Sequence, residues 1–235
     1  MKKFFLRLLG LLFIVIIIAL ISVWYSGYRL YKKTVSLESI ESKVQSIRDE
    51  INFTSIDDIP TYYKEAVVAV EDRRFYEHQT LDIIAIARAI VSNIRQKDLK
   101  EGGSTITQQT AKNMYFITET DAVSRKIAEV LVGFDLEKNY SKDEILEIYI
   151  NTIYFGDGYY GITEAAKGYL NKKPKDMIIS EATMLAGVPN APSVYAPTKN
   201  INLTQSRQKK VISRMVEAGY LTQEEADSIE IYTQK

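Results

Sequence analysis

An uncharged apolar run near the N-terminus constrains this chain more than any other feature. From Leu8 to Trp24 the run is interrupted only by Gly10 and Ser22. At ~1.5 Å of rise per residue, a helix of this length just spans a hydrocarbon core of ~30 Å. The run therefore predicts a single transmembrane helix.

The flanks of this run favour a retained anchor with the N-terminus in the cytoplasm. The basic residues before the run favour a cytoplasmic N-terminus, but basic residues also follow it, so charge counting alone does not settle the orientation. They are Lys2, Lys3 and Arg7 on one side and Arg29, Lys32 and Lys33 on the other. Trp24, Tyr25 and Tyr28 are typical of an interfacial aromatic belt. The alternative is a cleaved signal peptide, but no clean small-x-small cleavage site is present, and the run exceeds the usual length.

Length and composition exclude several classes of protein. The 235 residues leave room for one medium domain beside the anchor. The formal net charge of zero disfavours a nucleic-acid partner, because recognition of phosphate backbones needs a basic surplus. The absence of cysteine excludes disulfides and thiolate metal sites, and His78 is the only histidine.

The chain divides into four predicted segments, and its fold class is predicted to be mainly α. They are a cytoplasmic tail (1–7), the anchor (8–25), a polar stalk or linker (26–54) and a domain (55–235). Apolar spacing in the domain is helical, without sustained period-two strands. Predicted helices cover 60–71, 82–95, 121–138, 162–170, 180–188 and 204–218, with others starting after Thr105, at the Ser141 capping box and at Thr222.

Two of these helices have predicted core faces. For the helix over 82–95 the buried residues are expected to be Ile83, Ile84, Ile86, Ala87 and Ile90. For the helix over 121–138 they are expected to be Ile127, Val130, Leu131 and Phe134.

Three groups of residues could carry chemistry, and each also has an ordinary structural explanation. Glu71 ends an apolar helix, where it could be a general base or a solvated end paired with arginines. The glycines at 102–103 precede a helix start that could cradle an anion or be a simple N-cap. Arg125 and Glu129 share a helix face, as a cleft pair or as a surface ion pair. Local pattern alone does not decide among these.

Taken together, the motifs resemble the family 51 glycosyltransferases, which polymerise bacterial peptidoglycan. The resemblance covers about residues 55–220. It is carried by residues 71–78 (EDRRFYEH), 102–109 (GGSTITQQ), 111–113 (AKN), 125–129 (RKIAE), 140–147 (YSKDEILE), 154–156 (YFG) and 185–187 (LAG). Since the chain ends where bifunctional relatives continue into a transpeptidase domain, it resembles the monofunctional type.

This resemblance implies a lysozyme-like helical domain outside the cytoplasmic membrane. It implies lipid II as donor and acceptor, with Glu71 as the general base and undecaprenyl pyrophosphate leaving with inversion. Glu129 is implied as the second carboxylate, near that pyrophosphate. The substrate-binding residues implied are Arg74, Arg88, Ser104, Thr105, Gln108, Gln109, Lys112, Asn113 and Arg125.

The resemblance also implies partners and cofactors. We expect no organic cofactor, while Mg²⁺ or Mn²⁺ could assist at the pyrophosphate. The partners are lipid II, the growing glycan strand, the membrane and other cell-wall synthesis proteins. One departure is Thr80, where the family usually has glycine; because threonine disfavours positive φ, the turn here is expected to differ.

Two rival functions remain open. A lysozyme-like muramidase or lytic transglycosylase would also use paired carboxylates, but it needs no cations for a pyrophosphate. A non-catalytic scaffold for cell-wall assembly would not need Glu71 or Glu129, and both are present.

Overall fold

The computed structural model describes residues 2–96 and 103–233 of the chain. Across those residues it contains twelve α-helices and no strand, apart from an isolated antiparallel bridge between Tyr154 and Tyr160. The prediction of a mainly α fold with one long N-terminal apolar helix is confirmed. The helices are α1 (Lys2–Leu37), α2 (Ile40–Arg48), α3 (Thr61–Glu71), α4 (Ile83–Gln96), α5 (Ile106–Tyr115), α6 (Ala122–Asn139), α7 (Lys142–Thr152), α8 (Gly161–Leu170), α9 (Ile179–Gly187), α10 (Pro192–Tyr195), α11 (Ile201–Glu217) and α12 (Gln223–Ser228).

The first helix is long and apolar enough to cross a membrane. Its 36 residues extend for about 54 Å, well beyond a hydrocarbon core. The second half packs on α6, where Gly27 lies directly against Ile127. The Tyr31 hydroxyl also donates to Asp135 Oδ2 at 2.7 Å. The anchor therefore continues without a break into a contact with the domain.

The segment between the anchor and α3 packs on the domain along its length. Ile40, Val44 and Ile47 of α2 are buried in the main core. Arg48 forms an ion pair of 3.3 Å with Glu147 of α7. The predicted boundary at residue 54 stays a prediction, but the chain before it shares the core of the residues after it.

The core brings the ends of three helices together. Helix α3 packs on α9 and α11, while α5 packs on α6 and α7. Helix α7 begins with the predicted capping box, in which Ser141 and Glu144 bond each other's backbone N–H groups. The C-terminal end of α3 lies beside α11 and, through the hydrogen bond between Glu71 and Gln109, beside α5.

Both predicted core faces need correction. On α6 the fully buried residues are Ala128, Val132 and Leu136, whereas Phe134 is exposed. The larger apolar residues chosen from the sequence lie on other sides of this helix, and one of them, Ile127, is half-buried against α1. A sequence pattern cannot separate two apolar faces when a helix packs on two sides.

On α4 the burial prediction is wrong for three residues. Ile83, Ile84 and Ala87 are exposed, and Ile86 is half-buried. The buried residue is Ala89, a small side chain that faces the cleft described below. The side chain of Ile90 lies outside the described residues.

Candidate active site

Glu71 is the last residue of α3 and lies at the wall of a cleft. The preceding residues Val67, Val68 and Ala69 are buried and fix the helix in the core. Glu71 Oε2 accepts a hydrogen bond of 3.0 Å from Gln109 Nε2 of α5. Its Oε1 is buried, has no hydrogen-bond partner, and lies 3.9 Å from Arg207 Nη2 of α11.

These surroundings perturb the acidity of Glu71. Burial raises the pKa of the Glu71 carboxyl, because the charged form loses water. The hydrogen bond from Gln109 and the charge of Arg207 oppose this rise. A carboxylate that is shielded but still stabilised as an anion is suited to accept a proton.

Asp72 and Asp82 fix the backbone beside Glu71. Asp72 Oδ1 bonds His78 Nε2 at 2.7 Å, and its Oδ2 accepts from the backbone N–H of Ile106 at 3.1 Å. Asp82 accepts two hydrogen bonds from Arg74, at Oδ2 and at Oδ1. This network connects the end of α3 to the starts of α4 and α5.

The two candidate acidic clusters for a divalent cation are already bonded to other groups in the described structure. Donor atoms of Asp72, His78 and Asp82 lie within 4.8 Å of one another. However, the oxygens of Asp72 and Asp82 are already bonded to His78, a backbone N–H and Arg74. Glu129 likewise has a cation against each oxygen, so Mg²⁺ or Mn²⁺ stays an expectation.

Thr80 adopts its turn without positive φ. The non-glycine residues with positive φ in the described chain are Asp157 and Asn171, so Thr80 does not use the left-handed backbone that glycine would allow. The expected difference of this turn from that of the family stays a prediction. The Thr80 carbonyl accepts from Thr105 Oγ1 at 2.8 Å and from Gln108 Nε2 at 3.1 Å. These bonds hold the first turn of α5.

The start of α5 is capped as predicted, but its N–H groups are partly occupied. Thr105 Oγ1 accepts from the N–H of Gln108, and Asp72 accepts from that of Ile106. Gly103 and Ser104 lie on the cleft, whereas Gly102 lies outside the described residues.

A second polar cluster lies on α6. Glu129 is buried, with Arg125 Nε at 3.3 Å and Lys126 Nζ at 3.0 Å from its two oxygens. Lys126 Nζ also donates to Ser104 Oγ at 2.9 Å, which connects this cluster to the cleft wall. The cation and the carboxylate predicted on this face therefore do pair.

The cleft has a volume of about 540 Å³ and is rich in cations. It brings together the predicted residues Glu71, Arg74, Arg88, Ser104, Thr105 and Gln109. Other predicted residues do not line its described walls: Gln108 is buried, Lys112 is exposed, Asn113 is half-buried, and Arg125 and Glu129 lie behind Ser104.

Sequence reasoning missed the contribution of α11. Arg207, Lys210 and Arg214 line the cleft opposite α4 and α5, together with Asn190. The signal that could have found them is their spacing, since positions i, i+3 and i+7 share one helix face. A charged helix is more often solvated, so this spacing alone would not have been decisive.

Comparison with known proteins identifies the family of this chain. The family model described as Transglycosylase matches residues 38–216. The chain belongs to the transglycosylase family. The matched range includes Glu71, Glu129 and the α11 cations, as well as α2.

Individual relatives of this family are longer proteins. The chain is 44% identical over 175 residues to penicillin-binding protein 1A of Neisseria flavescens, covering 74% of this chain and 22% of that protein. It is 44% identical over 172 residues to penicillin-binding protein 1F of Bacillus subtilis, covering 73% and 24%. The chain thus spans about a quarter of the length of the curated relatives it matches. A crystal structure of penicillin-binding protein 1A from Haemophilus influenzae superposes with a TM-score of 0.47 at 22% identity, covering 78% of this chain and 18% of that one.

Proposed function

We propose that this transglycosylase polymerises lipid II into peptidoglycan glycan strands on the outer side of the cytoplasmic membrane. The observation that carries the proposal is the setting of Glu71, a largely buried carboxylate between Gln109 and Arg207 in a cation-rich cleft. The membrane-length helix α1 fits a lipid-linked substrate that is met at the membrane surface.

In the proposed reaction, Glu71 takes the proton from the 4-hydroxyl of the acceptor GlcNAc. That oxygen attacks the anomeric carbon of the donor MurNAc, and the bond from this carbon to the pyrophosphate oxygen breaks. Undecaprenyl pyrophosphate leaves with the bonding electrons, and the α-linkage becomes β-1,4. One proton moves to Glu71 and no redox change occurs.

The cations of the cleft supply the positive charge that the leaving pyrophosphate requires. A departing pyrophosphate accumulates negative charge, which cations placed in advance stabilise. Arg88 lines the cleft directly, whereas Arg74 is already bound to Asp82 and orders the wall. We propose that Lys112 and Arg125, which lie outside the described cleft wall, also stabilise the pyrophosphate, with Glu129 orienting Arg125 and Lys126.

The muramidase alternative predicts the opposite substrate preference. The full chain in detergent micelles would be incubated with lipid II and, separately, with finished peptidoglycan. We expect glycan strands from the first and no digestion of the second. Digestion without polymerisation would support the muramidase, and inactivity on both would support the scaffold.

Glu71→Gln tests the base directly, because the amide keeps the shape and removes the proton acceptor. We expect a loss of polymerisation of at least 100-fold, in the range of general-base catalysis of about 10²–10⁴-fold. Glu65→Gln is a matched control on the same helix, since Glu65 does not line the cleft. Polymerisation by Glu71→Gln at the parent rate would remove Glu71 as the base.

A further inference from the structure

Arg207 is held in position by contacts that do not involve Glu71. Its Nε donates to the carbonyl of Gly187 at 3.2 Å, and its guanidinium lies 5.6 Å from the ring centre of Tyr195. A Cβ at position 187 would lie only 2.9 Å from Arg207 Cγ, so the glycine leaves room for the arginine stem. The guanidinium is therefore placed before any substrate arrives.

The placed guanidinium faces the unoccupied side of the Glu71 carboxylate. Arg207 Nη2 lies 3.9 Å from Oε1, the oxygen without a hydrogen bond, while Gln109 serves Oε2. At 3.9 Å the contact is too long for a hydrogen bond, so Arg207 acts through its charge. With side-chain exposures of 14% and 11%, water screens this pair poorly.

The other charged groups near Glu71 do not supply this charge. Arg73 and Arg88 also line the cleft but are exposed, and Arg74 is bound to Asp82. Asp72 adds negative charge, while Tyr63 and Tyr149 are buried phenols whose pKa values burial raises, so both are neutral at working pH. On α11, Arg214 is paired with Glu217 at 2.5 Å and Lys210 is exposed. Among the described residues, Arg207 is the cation within ion-pair distance of Glu71.

We propose that Arg207 is a positioning residue that keeps Glu71 ionised, and so able to accept the proton, inside its buried site. This rests on the proposed function, in which Glu71 is the base. When Glu71 takes the acceptor's proton it becomes neutral and loses this attraction. Arg207 then favours the return of that proton to solvent, which restores the base for the next transfer.

The test is the pH dependence of kcat/KM for lipid II polymerisation. Its acid limb reports the ionisation of the base in the free enzyme. In Arg207→Gln we expect this limb to move to higher pH, with the rate on the acid side falling roughly tenfold relative to the alkaline plateau. Arg207→Lys keeps a charge and should retain most of the parent profile. Arg207→Met serves if the Gln variant does not fold, because its unbranched stem can pack on Tyr195.

Lys210→Gln is the matched control, since it removes one cleft cation on the same helix without touching Glu71. Its acid limb should stay with the parent, whatever happens to KM. If Arg207→Gln and Lys210→Gln lose activity equally at every pH, Arg207 only binds substrate and the inference is overturned.

A titration keeps the inference separate from the proposed function. In protein labelled with ¹³C at glutamate carboxyls, the signal absent from Glu71→Gln identifies Glu71. Its midpoint should rise in Arg207→Gln even if the parent proved inactive on lipid II, a result that would count against the function alone. Equal midpoints in the parent and in Arg207→Gln would overturn the inference.

Discussion

Gly133 and Thr80 should behave as a coupled pair. The effect of Gly133→Ala on the stability of the protein should change sign with the residue at position 80. A Cβ added to Gly133 on α6 would lie 2.4 Å from Thr80 Cγ2, whereas ordinary contacts begin near 3.4 Å. Thr80 is fully buried and, being β-branched, has little freedom at χ1. The same Cβ would lie 3.5 Å from Thr80 Cβ, so only the outer methyl is in the way.

The expected change in stability is the sum of one favourable and two unfavourable contributions. In a helix, alanine is more favourable than glycine by about 1 kcal/mol. Overpacking a filled site costs about 1–3 kcal/mol. Displacing Thr80 also weakens the two hydrogen bonds to its carbonyl; losing half of each, at about 1 kcal/mol per bond, costs about 1 kcal/mol in total. We therefore expect Gly133→Ala to destabilise the parent by about 1–3 kcal/mol.

In a Thr80→Ala background the same change should stabilise the protein by up to about 1 kcal/mol. Thr80→Ala itself should be nearly neutral, because it removes a buried methyl together with a hydroxyl that has no hydrogen-bond partner. The assay is denaturant unfolding in micelles, followed by near-ultraviolet circular dichroism of the 16 tyrosines. A coupling energy below about 0.5 kcal/mol would refute the packing argument.

Two further predictions concern a titrating side chain and the anchor. Burial lowers the pKa of His78, but its bonds to Asp72 and the Gln79 carbonyl outweigh this and raise it. The stability that His78 contributes is thus fully present below its unfolded pKa of about 6.5 and lost as pH rises through the higher folded value. Thermal midpoints between about pH 5.5 and 8.5 should fall less in His78→Gln than in the parent; parallel curves would contradict this. A Cβ on Gly27 would lie 2.4 Å from Ile127 Cβ, so Gly27→Ala should loosen α1 from α6 and speed tryptic cleavage after Lys32. Gly10→Ala, which has open space, should not, and equal rates in both would contradict the packing of α1.

Local chemistry made the helix ends predictable from the sequence. The Ser141 and Thr222 capping boxes use partners three residues away, and both form as the pattern indicates. Burial was harder to predict, because it depends on which helices meet. Ile83 and Ile84 have the pattern of a core stripe, yet the structure buries the small Ala89 on that helix instead.

The candidate site likewise has one part that the sequence predicted and one part that depends on the fold. Glu71 and Gln109 belong to motifs that could be recognised from the sequence, and they form a hydrogen bond. Arg207 lies in a stretch of ordinary charged helix, and its importance depends on the packing of α11 against α3. No local pattern reports that contact. The spacing of the α11 cations places them on one helix face, but only the fold assigns that face to the site.

In the proposed reaction, the Glu71 carboxylate needs neighbours on two sides. Burial strengthens Glu71 as a base but favours its neutral form, so burial alone would work against its use. Gln109 stabilises one oxygen by a hydrogen bond and Arg207 faces the other by charge. Gln109 and Arg207 are held in place by different contacts. The Thr80 carbonyl holds the start of α5, and the Gly187 carbonyl holds the Arg207 side chain. A displacement of either helix that is too small to unfold the protein should therefore already lower the proposed polymerisation activity.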